Sequence, residues 1–389
     1  MSSTATVAVA ESSSAFEKLS LNATASVPVW KAPPVTTEDL EWADILTIDL
    51  SKLATEKEEL IKTVATALQR DGFFYVIGHD IAPETLLRQF SIGQLAFDAV
   101  SREEKEQHVA PIKEKGSFIG YKLQNYWEIT NGIRDRIEHY NFYANELDPV
   151  TRHPKALQPH MPEIKAFLAE TREKVLKPVT QLIDGVLGLK GHLWDLHETP
   201  QGKRGNDVLR YMIYDPLTSE EAKKTNGVML NGHTDFNSIS CLISQPVTAL
   251  QVLMPDNIWR YVKHREGAYV INIGDQWNRD SHLQCALSFM SGGILKGTMH
   301  RVVRPPKDQV HLRRLGVFHF AHFIPGVSLE LFDSEKVHKE GHQIFEGKPP
   351  TADEWESARV KSYGTGEFIK GEEYDIEILN GLQVSFLPS

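Results

Sequence analysis

Apolar residues recur in two rhythms along this chain, and the change from one to the other organises it. Near the start, residues 45–50 (Ile-Leu-Thr-Ile-Asp-Leu) predict a short strand. Thr55-x-x-Glu58 has the form of a capping box, and Leu60, Val64 and Leu68 then recur every fourth residue, predicting an amphipathic helix to about Arg70. Asp71-Gly72 ends it, and Phe73-Phe74-Tyr75-Val76-Ile77 is a β-rich apolar run. Strand, helix, strand is therefore the expected opening. Between 162 and 187, Ile164, Phe167, Leu168, Val175, Leu182, Val186 and Leu187 keep near-helical spacing, with Pro178 expected to kink or interrupt the helix. One broad apolar stripe of this kind usually backs onto a sheet.

From about Val208 the rhythm shortens. Segments 209–214, 239–244, 250–254, 259–263, 268–274, 297–304, 315–323 and 327–332 are short, β-rich and separated by polar turns. Regular short strands predict a sandwich or barrel. From Asp353 the pattern reads as a charged helix and then a closing segment to Ser389. No internal repeat is visible, and no Pro/Gly cluster cuts the chain in two.

Composition narrows the class. The chain has 389 residues, 41% hydrophobic and 24% charged, as a soluble globular protein has. Its net charge of −10 and pI of about 5.9 argue against binding nucleic acid or an anionic membrane. Cys241 and Cys285 are the only cysteines, too few for a disulfide scaffold or a thiolate cluster, so a cytoplasmic setting is expected. No run approaches the roughly 20 apolar residues of a membrane span. The first 34 residues are rich in Ser, Ala, Thr and Val and carry neither a signal-peptide pattern nor arginine; a flexible tail is expected there.

The candidate chemistry lies in Asn231-Gly232-His233-Thr234-Asp235-Phe236 and Thr298-Met299-His300-Arg301-Val302. Two imidazoles and a carboxylate can occupy one face of an iron(II) ion and leave three positions open. A lone His-x-Asp arises about once by chance in a chain of this kind and can be an ordinary polar turn. His300 alone can be a satisfied histidine on a barrel wall. Placement raises the odds: Gly232-His233 sits at a β-rich run, where period-2 alternation would put positions 233 and 235 on one face. Arg314 follows in a further β-rich run and could anchor an acidic co-substrate bidentately.

Together, Gly232-His233-Thr234-Asp235, Ile273-Gly274-Asp275, the Leu287–Gly293 stretch, His300-Arg301-Val302 and Arg314-Leu315-Gly316 resemble the catalytic domain of iron(II)- and 2-oxoglutarate-dependent dioxygenases, in the isopenicillin N synthase-like branch. Asp71-Gly72-Phe73-Phe74-Tyr75-Val76-Ile77-Gly78-His79 resembles part of that branch's N-terminal domain. The resemblance implies a mainly β, α+β fold: a double-stranded β-helix (jelly-roll) core with flanking helices and an N-terminal α/β extension. The expected organisation is a flexible tail over 1–40, an N-terminal domain over 41–150, a helical linker packing on the barrel over 151–205, the core over 206–330 and a helical tail over 331–389.

By position, the resemblance makes His233, Asp235 and His300 iron ligands, and Arg314 and Tyr214 the partners of the distal carboxylate of 2-oxoglutarate. It implies Fe(II), 2-oxoglutarate and O2 as cofactor and co-substrates. The implied reaction couples decarboxylation of 2-oxoglutarate to hydroxylation, or a related C–H oxidation, of a small organic substrate, by family analogy in secondary metabolism. No separate acid or base is assigned. Tyr121, Phe236, Asn237 and Phe320 are candidates for substrate contact, with ordinary packing as the competing reading of each. The run from Arg136 to Asn141 either lines the mouth or forms a half-exposed strand. Oligomeric state is not fixed by the sequence; a monomer is the default expectation.

Three departures from the family pattern stand out. Gly316 replaces a serine that often helps bind the co-substrate, and Met212 replaces an asparagine common in plant members. The polar segment 276–285 (Gln-Trp-Asn-Arg-Asp-Ser-His-Leu-Gln-Cys) interrupts the match. It reads as a loop at the site mouth or, slightly ahead, as an alternative gene model. Two other functions remain open: an oxidase of the isopenicillin N synthase type that does not use 2-oxoglutarate, and a binding homologue impaired by that insertion. A zinc hydrolase is disfavoured, since no His-Glu-x-x-His pattern or general-base Glu accompanies the ligands.

Overall fold

The computed structural model describes residues 27–130, 132–199, 201–273, 286–342 and 348–362, and the backbone of 375–379 and 382–386. Two sheets form its centre. The larger has eight strands in the spatial order Leu46–Asp49, Phe73–Ile77, Tyr269–Ile273, Ile239–Ile243, Arg314–Ala321, Val208–Tyr214, Ile137–Tyr143 and Gly120–Lys122. Of its neighbouring pairs, only the first two strands run parallel. The smaller has four, in the order Trp259–Tyr261, Leu250–Leu253, His300–Val303 and Val228–His233. Inward side chains of both sheets share apolar clusters: Leu230 and Val302 meet Met212 and Tyr214, and Leu250 and Val252 meet Leu242 and Val270. This is the jelly-roll core, with helices on the outer face of the large sheet.

The helical periodicities hold. Lys57–Arg70 buries Leu60, Val64 and Leu68 against the helix Lys177–Leu187 and the two parallel strands. A fully buried aliphatic side chain contributes about 1.5–3 kcal/mol. The capping expectation fails: Glu56 is the N-cap, while Thr55 Oγ1 donates to the Lys52 carbonyl in the preceding 3-10 turn. A true capping box forms at Thr218 and Glu221. The long helix is interrupted where expected. Met161–Thr171 passes through a π turn, Arg172–Leu176, into Lys177–Leu187, with Pro178 in the first turn of the last part. The π turn carries buried Arg172 onto Asp207, and its Nη2 donates to the His197 carbonyl at 2.8 Å. Asp207 also accepts from His319 Nε2 and from the His322 backbone amide, both at 3.0 Å. One carboxylate thus ties the outer helix to two central strands.

Several expectations need correction. Residues 27–40 are not a loose tail. Trp30 stacks on Phe90 with ring centroids 4.4 Å apart, Val27 is buried, and Thr36 and Thr37 bond Asp308. Residues 327–332 form no strand, only an isolated bridge between Ser328 and Thr351. The C-terminal region is not wholly helical. After the helices Glu335–Glu340 and Ala352–Ser362 comes a hairpin, Asp375–Leu379 with Leu382–Phe386. Its alternating Ile376, Ile378 and Val384, Phe386 flank an Asn-Gly pair, a hairpin signal in the sequence. The interrupting segment 276–285 lies outside the described residues, but the strand bearing His300 keeps its pairing on both sides. No helix among the described residues is long and apolar enough to cross a membrane.

Gly72 couples the N-terminal part to that strand. Its φ is +65°, and a Cβ there would collide with the Lys296 carbonyl oxygen and Thr298 Oγ1. Thr298 Oγ1 instead donates to the Asp71 carbonyl, and the Lys296 amide donates to the Leu68 carbonyl at 3.1 Å. Gly72→Ala should therefore destabilise the fold by at least about 1–3 kcal/mol, combining left-handed backbone strain with the clash. Urea denaturation would measure this, and an unchanged midpoint would refute the role of the contact.

Candidate active site

His233 closes the strand Val228–His233, His300 opens the strand His300–Val303, and the two are paired directly across the sheet. Their rings lie 4.4 Å apart, centroid to centroid. Asp235 is not on the strand. Residues 234 and 235 have left it, so the carboxylate reaches the histidines through a turn and not by strand alternation. Asp235 Oδ1 lies 3.9 Å from His233 Nε2 and 3.7 Å from His300 Nε2. One ligand atom from each residue falls within 4.8 Å of the others.

Neighbouring groups set the orientation. His233 Nδ1 faces the Asn231 carbonyl at 2.9 Å, and His300 Nδ1 faces the Thr298 carbonyl at 3.2 Å. A carbonyl can only accept, so each Nδ1 carries the proton and each Nε2 presents a lone pair. Asp235 Oδ2 accepts from Ser240 Oγ at 2.5 Å and from Asn272 Nδ2 at 2.9 Å, which leaves Oδ1 turned to the imidazoles. Burial, with repulsion from His300, holds His233 down to about 3, so it is neutral and ready to bind a cation. Burial pushes the Asp235 carboxyl up, but the two imidazoles and the two hydrogen bonds outweigh it, and it ionises below the usual range. Two imidazoles and a carboxylate on one face are a donor set that fits iron(II). Phe73 meets the His300 ring edge-on at 5.6 Å and walls that side.

Arg314 opens the adjacent strand of the large sheet, in register with Tyr214. Its guanidinium carbon lies 5.3 Å from the Tyr214 ring centroid. Arg314 is 3% exposed, and its Nε and Nη1 have no hydrogen-bond partner among the described residues. A buried cation left in this state costs several kcal/mol unless an anion joins it. Burial pushes the Tyr214 hydroxyl up to about 12, so it stays a donor; its described contact is the Met212 sulfur at 3.5 Å. At Gly316, which lies opposite Met212, an added Cβ would approach Phe318 Cε2 to 2.6 Å. Ring packing therefore fills the space that a serine would need.

The triad, Arg314 and Tyr214 line one cavity. Phe236, Asn237 and Phe320 also line it. Tyr121 does not: it is fully buried in the main core, with its hydroxyl donating to the Ala96 carbonyl at 2.6 Å and its ring against Tyr140. Its polar tip is satisfied by backbone and faces no cavity. The run 136–141 is not a half-exposed strand: beyond half-buried Arg136, the strand Ile137–Tyr143 is buried throughout, and its Asn141 and Tyr143 line the cavity. Sequence reading missed Ser240, Asn272, Arg210, His322 and Glu356, which all line it. For Asn272 a signal existed, a polar residue at the inward phase of an otherwise apolar strand, Tyr269–Ile273.

Comparison with known proteins agrees with this geometry. The model of the 2OG-Fe(II) oxygenase superfamily matches residues 206–322, and that of the non-haem dioxygenase in morphine synthesis N-terminal region matches residues 45–163. The chain is 27% identical over 261 residues to the 2-oxoglutarate-Fe(II) type oxidoreductase hxnY of Emericella nidulans, covering 64% of this chain and 70% of that one. It is 25% identical over 330 residues to a homoarginine-6-hydroxylase of Glycine max, covering 78% and 93%. Flavonol synthase/flavanone 3-hydroxylase of Solanum tuberosum is 26% identical over 279 residues, covering 69% and 71%. Among solved structures, a full-length Neurospora crassa protein in complex with alpha-KG and 5-formyluracil superposes with a TM-score of 0.66 at 21% identity, over 84% of this chain and 99% of that chain.

Asp235→Ala should abolish stoichiometric iron(II) binding, whereas Asn272→Ala, which only frees the carboxylate to rotate, should weaken it by roughly 10–100-fold. Anaerobic metal titration distinguishes the two, and full affinity in Asp235→Ala would remove that residue from the metal site.

Proposed function

The chain belongs to the 2OG-Fe(II) oxygenase superfamily and is a 2-oxoglutarate-dependent dioxygenase, and we propose how its own residues serve that chemistry. His233, Asp235 and His300 hold the iron, and Arg314 with Tyr214 holds the distal carboxylate of 2-oxoglutarate. The observation that carries this reading is the buried Arg314 guanidinium, short of partners, in the same cavity as the three converging ligand atoms.

When bound, iron(II), 2-oxoglutarate and O2 supply oxidising power, releasing succinate and carbon dioxide as the co-substrate is decarboxylated. The chain's residues do the rest. Ser240 and Asn272 fix the carboxylate rotamer of Asp235, and the Asn231 and Thr298 carbonyls fix both imidazole tautomers. Arg314 neutralises the buried acid end, and Tyr214, still protonated, can donate to it. With Gly316 in place of a hydroxyl donor, these two carry the anchoring. Phe236, Asn237 and Phe320 form part of the wall against which a substrate C–H bond is presented, and the two phenylalanine rings help to exclude water. Hydroxylation of a small organic molecule is the reading that best suits this cavity. Relatives named for flavanone and homoarginine support a substrate of that size, and a role in secondary metabolism. An oxidase that dispenses with 2-oxoglutarate would leave Arg314 buried without an anion, which disfavours it.

Arg314→Ala should raise the 2-oxoglutarate concentration needed for half-saturation by roughly ten- to a hundred-fold, the equivalent of about 1.5–3 kcal/mol for a charge-assisted pair. Anaerobic titration of the iron(II) protein, followed by the visible metal-to-ligand charge-transfer band, measures this directly. An unchanged requirement would sink the assignment, while loss of the band in His300→Ala would support the iron site independently.

A further inference from the structure

Arg314 stands between two spaces. Together with Leu242, Leu250 and Val270 it lines the main cavity and also a second, smaller pocket. The strand Ile239–Ile243 locates that pocket. Ser240 holds Asp235 at the metal end, Leu242 borders both spaces, and Ser244 and Gln245 beyond it border the small one. Phe318 pairs with Leu242 in antiparallel register, so the step from Phe318 back to Arg314 runs the same way. The small pocket thus lies past Arg314, on the side away from the metal ligands.

Its volume is about 20 Å³, room for one water-sized group. A methylene is of that size. The polar side chains of Ser244 and Gln245 are already satisfied. Ser244 Oγ lies 3.0 Å from His264 Nδ1 and accepts from the Arg265 amide at 3.0 Å. The Gln245 side chain exchanges two bonds of 3.0 Å with the Val247 backbone. Val247, Ala249 and Val262 add apolar surface to the same wall.

Little pins Arg314 to the main-cavity side. Its Nε and Nη1 have no hydrogen-bond partner among the described residues, and its described contact is the Tyr214 ring, with the guanidinium carbon 5.3 Å from the centroid. Gly316 offers no hydroxyl that would fix a distal carboxylate at one distance. A diacid with one more methylene is longer by about 1.3 Å, the axial share of a carbon–carbon bond. A shift of that size into the pocket lets the guanidinium follow the longer acid.

We propose that the co-substrate site takes the six-carbon homologue 2-oxoadipate as well as 2-oxoglutarate, and that the pocket behind Arg314 sets this tolerance. The inference rests on the reading of Arg314 as the partner of the distal carboxylate. Decarboxylation of the longer acid breaks the same bond, between its first and second carbons, and gives glutarate and carbon dioxide. One oxygen atom of O2 goes to the new glutarate carboxylate and the other to the oxidised substrate.

The test uses the full chain loaded with redox-inert zinc, so that calorimetry reads binding without turnover. The probes are 2-oxoglutarate, 2-oxoadipate and the seven-carbon 2-oxopimelate. A site built for five carbons alone rejects an extra methylene by about 10–200-fold. Here 2-oxoadipate should bind within about tenfold of 2-oxoglutarate and compete with it, and 2-oxopimelate should bind at least about tenfold more weakly than 2-oxoadipate. Ala249→Val and Val262→Phe, which fill the pocket, should widen the gap between the two shorter acids by at least about tenfold while 2-oxoglutarate binds as before. Val262→Ala, which enlarges it, should narrow that gap. A larger deficit for 2-oxoadipate in the unmodified chain, binding that does not compete, 2-oxopimelate bound as well as 2-oxoadipate, or a gap that neither filling variant moves would each overturn the proposal. If neither filling variant folds, Val262→Ala decides, and an unchanged gap there overturns it. Failure of 2-oxoglutarate itself to bind would instead strike the assignment of Arg314, so the two readings fail separately.

Discussion

The site depends on one cross-strand register. His233 stands opposite His300, while the next matched pair is Leu230 with Val302, so one strand advances three residues and the other two. The extra residue is a β-bulge, a device that re-aims side chains beside functional sites. A slip of one residue would turn an imidazole to the other face of the sheet. The register is held from both sides: Leu250–Leu253 pairs the far edge of the His300 strand, and its entry is pinned by Thr298 and Lys296 against the helix end at Asp71-Gly72. A contact in the N-terminal region thus helps to fix a residue far along the chain.

The second constraint is charge in a dry interior. Asp235, Arg314, Arg210, His322 and Glu356 all face the cavity, and Asp207 stands just behind it. Each is expensive to bury alone. Asp207 is satisfied several times over within the fold, and so serves stability. Arg314 is not: its Nε and Nη1 find no hydrogen-bond partner among the described residues. The contrast between a saturated and an unsaturated buried ion supports the proposed binding role of Arg314 in a way that residue type alone could not.

Much of the site was legible because its chemistry demands rare residue types in a rare order. His233, Asp235, His300, Arg314 and Tyr214 can be named from the sequence, and the structure brings them together. The mistaken details share a cause, which is that local pattern does not carry tertiary context. Strand alternation predicts the direction of Asp235, but the bend after His233 sets it. Tyr121 reads as a residue flanking the expected cavity, yet its hydroxyl meets a backbone carbonyl inside the core. Ser240 is a common residue without a local signature, and the part played by Asn272, a lone polar residue on an apolar strand, appears only once three strands are assembled. Residues 27–40 look loose because their anchors, Phe90 and Asp308, are distant in sequence.

Glu356 enters the cavity from the helix Ala352–Ser362, and Asn141 and Phe118 enter it from the N-terminal half. Neither stretch supplies a metal ligand. Part of the cavity wall is therefore encoded outside the portion of the gene that carries the three converging ligand residues. Mutation can redraw what is admitted by altering a terminal helix or an outer strand, while the central strands go on activating oxygen as before. Such a division makes the scaffold evolvable: new specificities can be tried without first sacrificing the reaction.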